Sequence, residues 1–494
     1  MKTIYTAAWV LGLLVIGYLL FPILWKRFSP KKQAAITSIA VLPFMNVTGN
    51  PDQAHLSDGL TEGILNSLAK VEGLKVSARN SSFKFRGEDI NIKEVGEKLN
   101  VQMVLEGSVQ LDGDRILITA QLINVEDEFH FWSEQYDEKV NDIFALQDRI
   151  ANAIVDKLGS ALLLSERNKL VTKPVTNQKA YEFYLQGRVH LNLRTPHDLK
   201  KGIDYFEQSI ALDKSFAASY AGLADCYNAL GYASFVAPMD AFPKAKEAAT
   251  MAMQLDSTLA EPHASLGFYY FYHAWDWKAA EQEFRIAIAL NPNYALAYAW
   301  YAYYLTAMQQ YDEALVILQK ATALDPLSDP LHTDIGFSLY YSGNYVDAIN
   351  QLETCLQTNP KFGPAHLWLG RSFQQQQKFE QAILAYQKAL EGNAYWPVAL
   401  AALGNAYGTS GDNISAKQVL ITMDSLSTKK FVTSYGVALV YSGLGEKEKT
   451  FEWLNKAYKE RSNWLVWLRT DPRFNSLHFE RRFSELANQV GLPQ

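Results

Sequence analysis

A chain of 494 residues is too long for one ordinary domain and long enough for two or three cores. Its 48% hydrophobic and 13% aromatic content excludes a disordered polymer, and a formal net charge of −6 argues against general affinity for nucleic acid, which needs a basic footprint. The two cysteines, Cys226 and Cys355, stand apart from any CxxC pair or histidine cluster and read as small buried hydrophobes.

Residues 4–25, IYTAAWVLGLLVIGYLLFPILW, run for 22 residues without a charge. At about 1.5 Å per residue such a helix crosses a hydrocarbon layer of about 30 Å. The stretch predicts a single transmembrane helix with Tyr5, Trp9 and Trp25 near the interfaces. The rival, a cleaved signal peptide, lacks a small-x-small cleavage site after the apolar run. Lys26, Arg27, Lys31 and Lys32 follow the helix and only Lys2 precedes it, so charge bias puts the body in the cytoplasm, as a single-pass inner-membrane protein. The bias is small and leaves the periplasmic arrangement open. Residues 26–35 form a basic linker.

Residues 36–168 show mixed periodicity. ITSIAVLPF (36–44) reads as a buried strand and LSDGLTEGILNSLAKV (56–71) as a helix, with Ser57 or Asp58 as N-cap. LKVSAR follows as a strand and IKEVGEKLN as a short helix. VQMVLEGSVQL and RILITAQLINV alternate on either side of DGDR, a hairpin signal. IFALQDRIANAIVDKLGSALL (143–163) closes the segment as an amphipathic helix. The order βαβαββ(β)α describes a compact α/β domain.

Three stretches of this segment, IAVLPFMNVTGNPDQAHLSDGLTEGIL, LEGSVQLDGDRILITAQLI and FWSEQYDEKVNDIFALQDRIANAI, resemble the TolB-like amino-terminal domain. The resemblance implies a bacterial membrane-bound regulator in which such a domain stands before tetratricopeptide repeats. Many of those carry a winged-helix DNA-binding domain or a nucleotide cyclase ahead of the membrane helix. Here three residues precede it, so neither direct transcription control nor cyclic-nucleotide synthesis is expected of this chain.

Downstream a 34-residue period takes over. Ala280, Ala314, Ala348, Ala382 and Ala416 mark it. Phe284, Leu318, Leu352, Tyr386 and Leu420 stand four residues on, and Ala287, Ala321, Cys355, Ala389 and Met423 seven residues on. Gly267, Gly336, Gly370 and Gly404, with Ala302, occupy the expected tight crossing of the first helices. The pattern resembles the tetratricopeptide repeat, in which small residues let two antiparallel helices approach. About eight repeats fit within 178–466, and 467–494 reads as a capping helix. The fold class is therefore an α/β domain plus an all-α superhelical solenoid, behind one N-terminal transmembrane helix.

No P-loop, G-x-G-x-x-G, H-E-x-x-H or G-x-S-x-G occurs, so no catalytic residue, metal or cofactor is expected. His263, His332 and His366 share one repeat position, too widely spaced for one ion, and read as packing. The carboxylates of GLTEGI and DGDR suit a helix N-terminus and a turn.

Family geometry places Phe268, Phe271, Tyr272, Tyr303, Phe337, Tyr340 and Tyr341 on the concave side, followed by Arg371, Gln374 and Gln375. Repeats that clamp acidic C-terminal tails resemble one another in using Lys and Asn there, and this chain departs from that clamp. Either the aromatics form a groove for a protein or peptide, or they pack against neighbouring helices. The expected function is a non-catalytic, membrane-anchored scaffold for protein–protein interaction. Its alternative is a sensory or regulatory subunit acting on a separate transcription factor or nucleotide cyclase. Beyond the membrane and a protein partner, no nucleic acid is expected.

Overall fold

The computed structural model describes residues 37–49, 54–71, 73–87, 90–113, 115–139, 143–158 and 177–493. The expected transmembrane helix and basic linker lie outside them. Among the described residues no helix is long and apolar enough to cross a membrane.

The α/β domain is built on strands β1 (Ser38–Val41), β2 (Met45–Asn46), β3 (Lys75–Val76), β4 (Met103–Asp112), β5 (Arg115–Asn124) and β6 (His130–Lys139). Their order is β3-β1-β4-β5-β6, with β2 beside β4. β1 runs parallel to β3 and β4, whereas β4, β5 and β6 form an antiparallel meander. β1 is buried on both faces, which its β-branched, uninterrupted apolar run permits. β5 alternates as its sequence predicts. Ile116, Ile118, Ala120 and Leu122 point into a core shared with the helices Ala54–Ala69 and Ile143–Leu158. The opposite face, with Ala40, Leu42 and Val104, is covered by the helix Ile92–Leu99.

Two local readings are corrected here. The first helix begins at Ala54, ahead of the expected cap. Thr61 Oγ1 bonds back to the Ser57 carbonyl at 2.8 Å, a contact of the helix interior. Glu62 therefore stands two turns inside the helix, far from its N-terminal dipole. The β4–β5 connection is the expected tight turn, with Gly113 at φ 60°, a conformation that costs glycine little.

The remainder is a mostly helical solenoid. Sixteen helices, from Gln178–Leu193 to Lys447–Lys459, form eight antiparallel pairs among the described residues. The period-marking alanines Ala280, Ala314, Ala348, Ala382 and Ala416 are fully buried. The glycines stand where a side chain has no room. A Cβ on Gly336 would lie 2.6 Å from Leu352, and one on Gly370 2.7 Å from the Tyr386 ring. The helix Ala260–Tyr269 runs on into a π-turn, Tyr270–Ala274.

The end of the chain is two 3₁₀ turns, Asn463–Trp467 and Pro472–Leu477, then the helix Arg481–Val490. The expected single capping helix is thus replaced over its first part. The reason is compositional: five of the six residues in NWLVWL are apolar, and a solvated outer cap cannot bury them. The 3₁₀ turns fold inward instead, with Trp464, Leu465, Val466, Trp467 and Leu468 all buried.

The two parts share an interface of hydrogen bonds and packed side chains. Asn293, in the turn after the helix Trp277–Leu290, accepts from Val76 N at 2.9 Å and donates to the carbonyls of Ala69 and Leu74, both at 2.9 Å. Asp325, one repeat on, accepts from the Ser81 hydroxyl and from Asn80 Nδ2 at 3.2 Å. Ala78 N donates to Leu324 O at 2.8 Å. Tyr181 and Leu185 of the first solenoid helix belong to the α/β core itself.

Candidate interaction site on the concave face

The expected groove residues are brought together, but they are covered. Phe268, Phe271, Tyr272, Phe337, Tyr340 and Tyr341 are buried and belong to one cluster, against which Tyr303 packs half-buried. Phe268 meets Tyr272 and Trp300, each at 4.5 Å between centroids. Phe337 meets Tyr303 at 5.1 Å and Trp368 at 4.7 Å, both edge-on. These edge-to-face distances are those that aromatic quadrupoles favour.

The cover is the chain's own tail. Trp467 stacks on Tyr341 and meets Phe337 and Phe271 edge-on at 5.0 and 5.9 Å. Trp464 stacks on Tyr232 at 6.0 Å and donates from Nε1 to Ser234 Oγ at 3.3 Å. Asn463 Nδ2 donates to the Tyr232 carbonyl at 3.1 Å. Tyr458 stacks on Trp275 at 5.5 Å. The last repeat and the tail thus reach back to the second and third helix pairs.

The polar members of the expected groove divide. Arg371 is buried, its guanidinium 4.1 Å above Trp368 and 5.6 Å from the Trp464 ring. Gln374 lies inside a ladder: Tyr386 OH donates to its Oε1 at 2.9 Å, its Nε2 donates to Asn405 Oδ1 at 2.6 Å, and Asn405 donates to Leu439 O at 2.7 Å. Gln375 is half-buried beside them. Tyr303 OH donates to Asp334 Oδ1 at 2.6 Å. Burial pushes the Asp334 carboxyl up to about 7, against the pull of Tyr303 and Arg194. The histidine row is structural in its contacts. His332 and His366 bond through Nε2 to the carbonyls of Pro326 and Pro360 at 2.8 and 2.9 Å, and His263 bonds to Glu283 at 2.6 Å.

A second cleft has no counterpart in the sequence reading. A cavity of about 450 Å³ opens between the helix Ala54–Ala69 and the first helices of the solenoid, lined by Glu62, Lys70, Tyr184, Arg188, Phe216 and Glu261 among others. Glu62 is paired with Arg188 at 2.6 Å and Arg79 at 3.0 Å. Burial alone would push its carboxyl up, but Arg188 and Arg79 together outweigh it and hold it below the usual range. Glu62 and Arg188 come from different domains and carry no shared periodicity, so no pattern in the sequence joins them.

The family description "HilA/YgeH-like transcriptional regulator, second domain" matches residues 34–153, and "Tetratricopeptide repeat" matches 295–326 and 339–394. The family description that covers the first domain is thus the HilA/YgeH-like one, and the expected TolB-like resemblance is not among the matching family descriptions. A Rhizobium meliloti protein, "Putative adenylate cyclase 3", is 36% identical over 198 residues, 40% of this chain and 33% of that protein. The transcriptional regulator HilA of Salmonella typhimurium is 24% identical over 327 residues, 65% of this chain and 56% of that protein. The chain thus spans a third to about half of the curated relatives it matches. Among solved structures, a human IFIT1 dimer with PPP-AAAA superposes with a TM-score of 0.45 at 16% identity, covering 71% of this chain and 86% of that one. The chain carries tetratricopeptide repeats, an architecture that builds interaction surface, and its first domain is similar to a domain of transcriptional regulators.

Proposed function

We propose that the chain is a non-catalytic, membrane-anchored scaffold whose concave aromatic face receives an apolar segment of a protein partner when Trp464 and Trp467 leave it. The observation that carries this reading is the seat of Trp467. A bulky anchor from a distant, irregular segment fills a pocket made by Phe271, Phe337 and Tyr341, as a bound peptide's anchor would. In this reading the residues Phe268, Phe271, Tyr272, Tyr303, Phe337, Tyr340, Tyr341, Arg371, Gln374 and Gln375 form the lining or support of the acceptor site. The anchor is the apolar run 4–25 at the bacterial inner membrane, with the body on the cytoplasmic side by charge bias.

The regulatory alternative draws on the HilA/YgeH-like match and on the cyclase relative. It holds that the scaffold acts on a separate transcription factor or nucleotide cyclase.

The test is photo-crosslinking from position 341 of the full-length chain in its native membrane, with and without Trp464→Ala and Trp467→Ala together. A protein captured by the variant, and competed by a peptide spanning 460–478, supports the groove; its identity as a cyclase or DNA-binding protein would favour the regulatory reading. Uncompeted capture that is identical in both forms overturns the groove.

A further inference from the structure

Beneath the tail, the centre of the solenoid holds a charge imbalance. Two guanidiniums, Arg371 and Arg473, are buried there with one carboxylate, Asp471. Asp471 is already engaged by its own neighbours. Arg473 grips it through Nε at 2.8 Å and Nη2 at 2.6 Å, Arg473 N adds a bond at 3.2 Å, and Tyr435 OH donates to Oδ2 at 2.9 Å. Arg371 reaches Asp471 only at longer electrostatic range.

The donors left over belong to the same place. Arg371 Nε and Nη1, Arg473 Nη1 and the hydroxyls of Tyr340 and Tyr341 are buried without a hydrogen-bond partner among the described residues. Tyr340 and Tyr341 pack against the Trp368 ring at 5.5 and 5.7 Å between centroids, the ring over which the Arg371 guanidinium lies at 4.1 Å, and both sit in the field of Arg371, Arg473 and Asp471. Tyr386 sits in that field too, but its hydroxyl is committed to Gln374. The guanidinium nitrogens can only donate, so neither arginine can satisfy the other. A guanidinium withdrawn from water with no counter-charge is costly, and native folds pair such groups.

We propose that this cluster of buried donors binds a small inorganic anion, of the chloride or phosphate class, held between Arg371 and Arg473 with the Tyr340 and Tyr341 hydroxyls completing its shell. The anion balances the excess positive charge and supplies the acceptor that the protein lacks. Arg371 is fixed for the task by the indole faces of Trp368 and Trp464. Because Trp464 belongs to the tail, the ion is enclosed when the tail is seated. The inference does not depend on the groove being a partner site.

Two measurements test it on the full-length chain. In crystals grown with bromide, the anomalous map should show a peak within hydrogen-bond reach of Arg371 Nε and Arg473 Nη1. In thermal melts at constant ionic strength, with gluconate as the bulky reference anion, chloride or phosphate should raise the midpoint saturably by a few degrees. The one that saturates at lower concentration names the ion. Arg371→Met, close in volume and uncharged, should melt without this dependence; if it fails to fold, the bromide map on the natural chain decides. A map with only water between the guanidiniums overturns the proposal. So does a midpoint at constant ionic strength that is the same in chloride, phosphate and gluconate, or that responds equally in the natural chain and in R371M.

Discussion

The indole of Trp467 stacks on the phenol of Tyr341 with centroids 4.7 Å apart and planes 21° from parallel. One ring comes from the last turns of the chain and the other from the fifth helix pair. The contact joins the tail to the aromatic cluster formed by the first helices of the repeats. Removing the indole tests how much the seat holds. Trp467→Ala should cost about 3–5 kcal/mol, the range for truncating a buried aromatic. Hydrogen exchange should rise across the tail and the concave helices, while the β4–β5–β6 meander keeps its protection. A loss spread evenly over both domains would mean the tail is part of the general core.

The repeat packing makes a sharper claim at single atoms. At Gly370 an added Cβ would stand 2.7 Å from the Tyr386 ring and 3.1 Å from the Ala382 carbonyl. Gly370→Ala should therefore destabilise by about 1–3 kcal/mol through overpacking, even though alanine is the better helix former. A melting temperature equal to or above that of the natural chain would show that the helices can part without cost.

At the domain interface, Glu62→Gln leaves Arg79 and Arg188 facing each other without their carboxylate. Breaking such an enclosed pair by losing one partner costs about 3–5 kcal/mol. The pH dependence has a definite sign. Because the folded carboxyl is held low, its contribution is complete above the ordinary carboxylate pKa of about 4.3 and is lost as pH falls through the depressed folded value. Acid melts should show the natural chain losing stability in that window more steeply than E62Q. Parallel curves would contradict the assignment.

Asp334 works in the opposite direction. Its folded carboxyl is pushed up to about 7, so between the ordinary Asp value of about 3.9 and there the folded state keeps a proton that the unfolded chain releases. Stability from this group falls as pH rises through that window. Asp334→Asn removes the titration while leaving an acceptor for Tyr303. Melting temperatures of the two forms should diverge in favour of the variant between about pH 4 and about pH 7. Asp225, raised to about 6, leaves a smaller dependence of the same sign in both. A constant difference across the window would rule out the proton on Asp334.

What was legible in the sequence was what repeats. The alanine row and the glycines at 267, 336, 370 and 404 state their own packing, because a 34-residue period forces equivalent neighbours on equivalent positions. β5 could be read from its alternation. Ser57 misled because the helix begins before its apolar stripe does, at Ala54. That the first-helix aromatics stand at equivalent positions was legible, but the tail segment packed over them was not, since nothing local ties residues 463–468 to Phe337. The signal was NWLVWL itself, too apolar for the solvated cap that follows a solenoid. Glu62 read as a helix-terminal acid because its two arginines are distant in sequence.

The most direct test of the account is binding in trans. A fluorescent peptide spanning residues 460–478 is titrated, by anisotropy, against the full-length chain and against the full-length Trp464→Ala, Trp467→Ala variant, whose folding is checked by exchange protection of the β4–β5–β6 meander. The variant should bind the peptide at least tenfold more tightly than the natural chain, whose own tail competes for the seat, and Tyr341→Ala should abolish the difference. Equal affinity for both forms, or no binding by a folded variant, would contradict this.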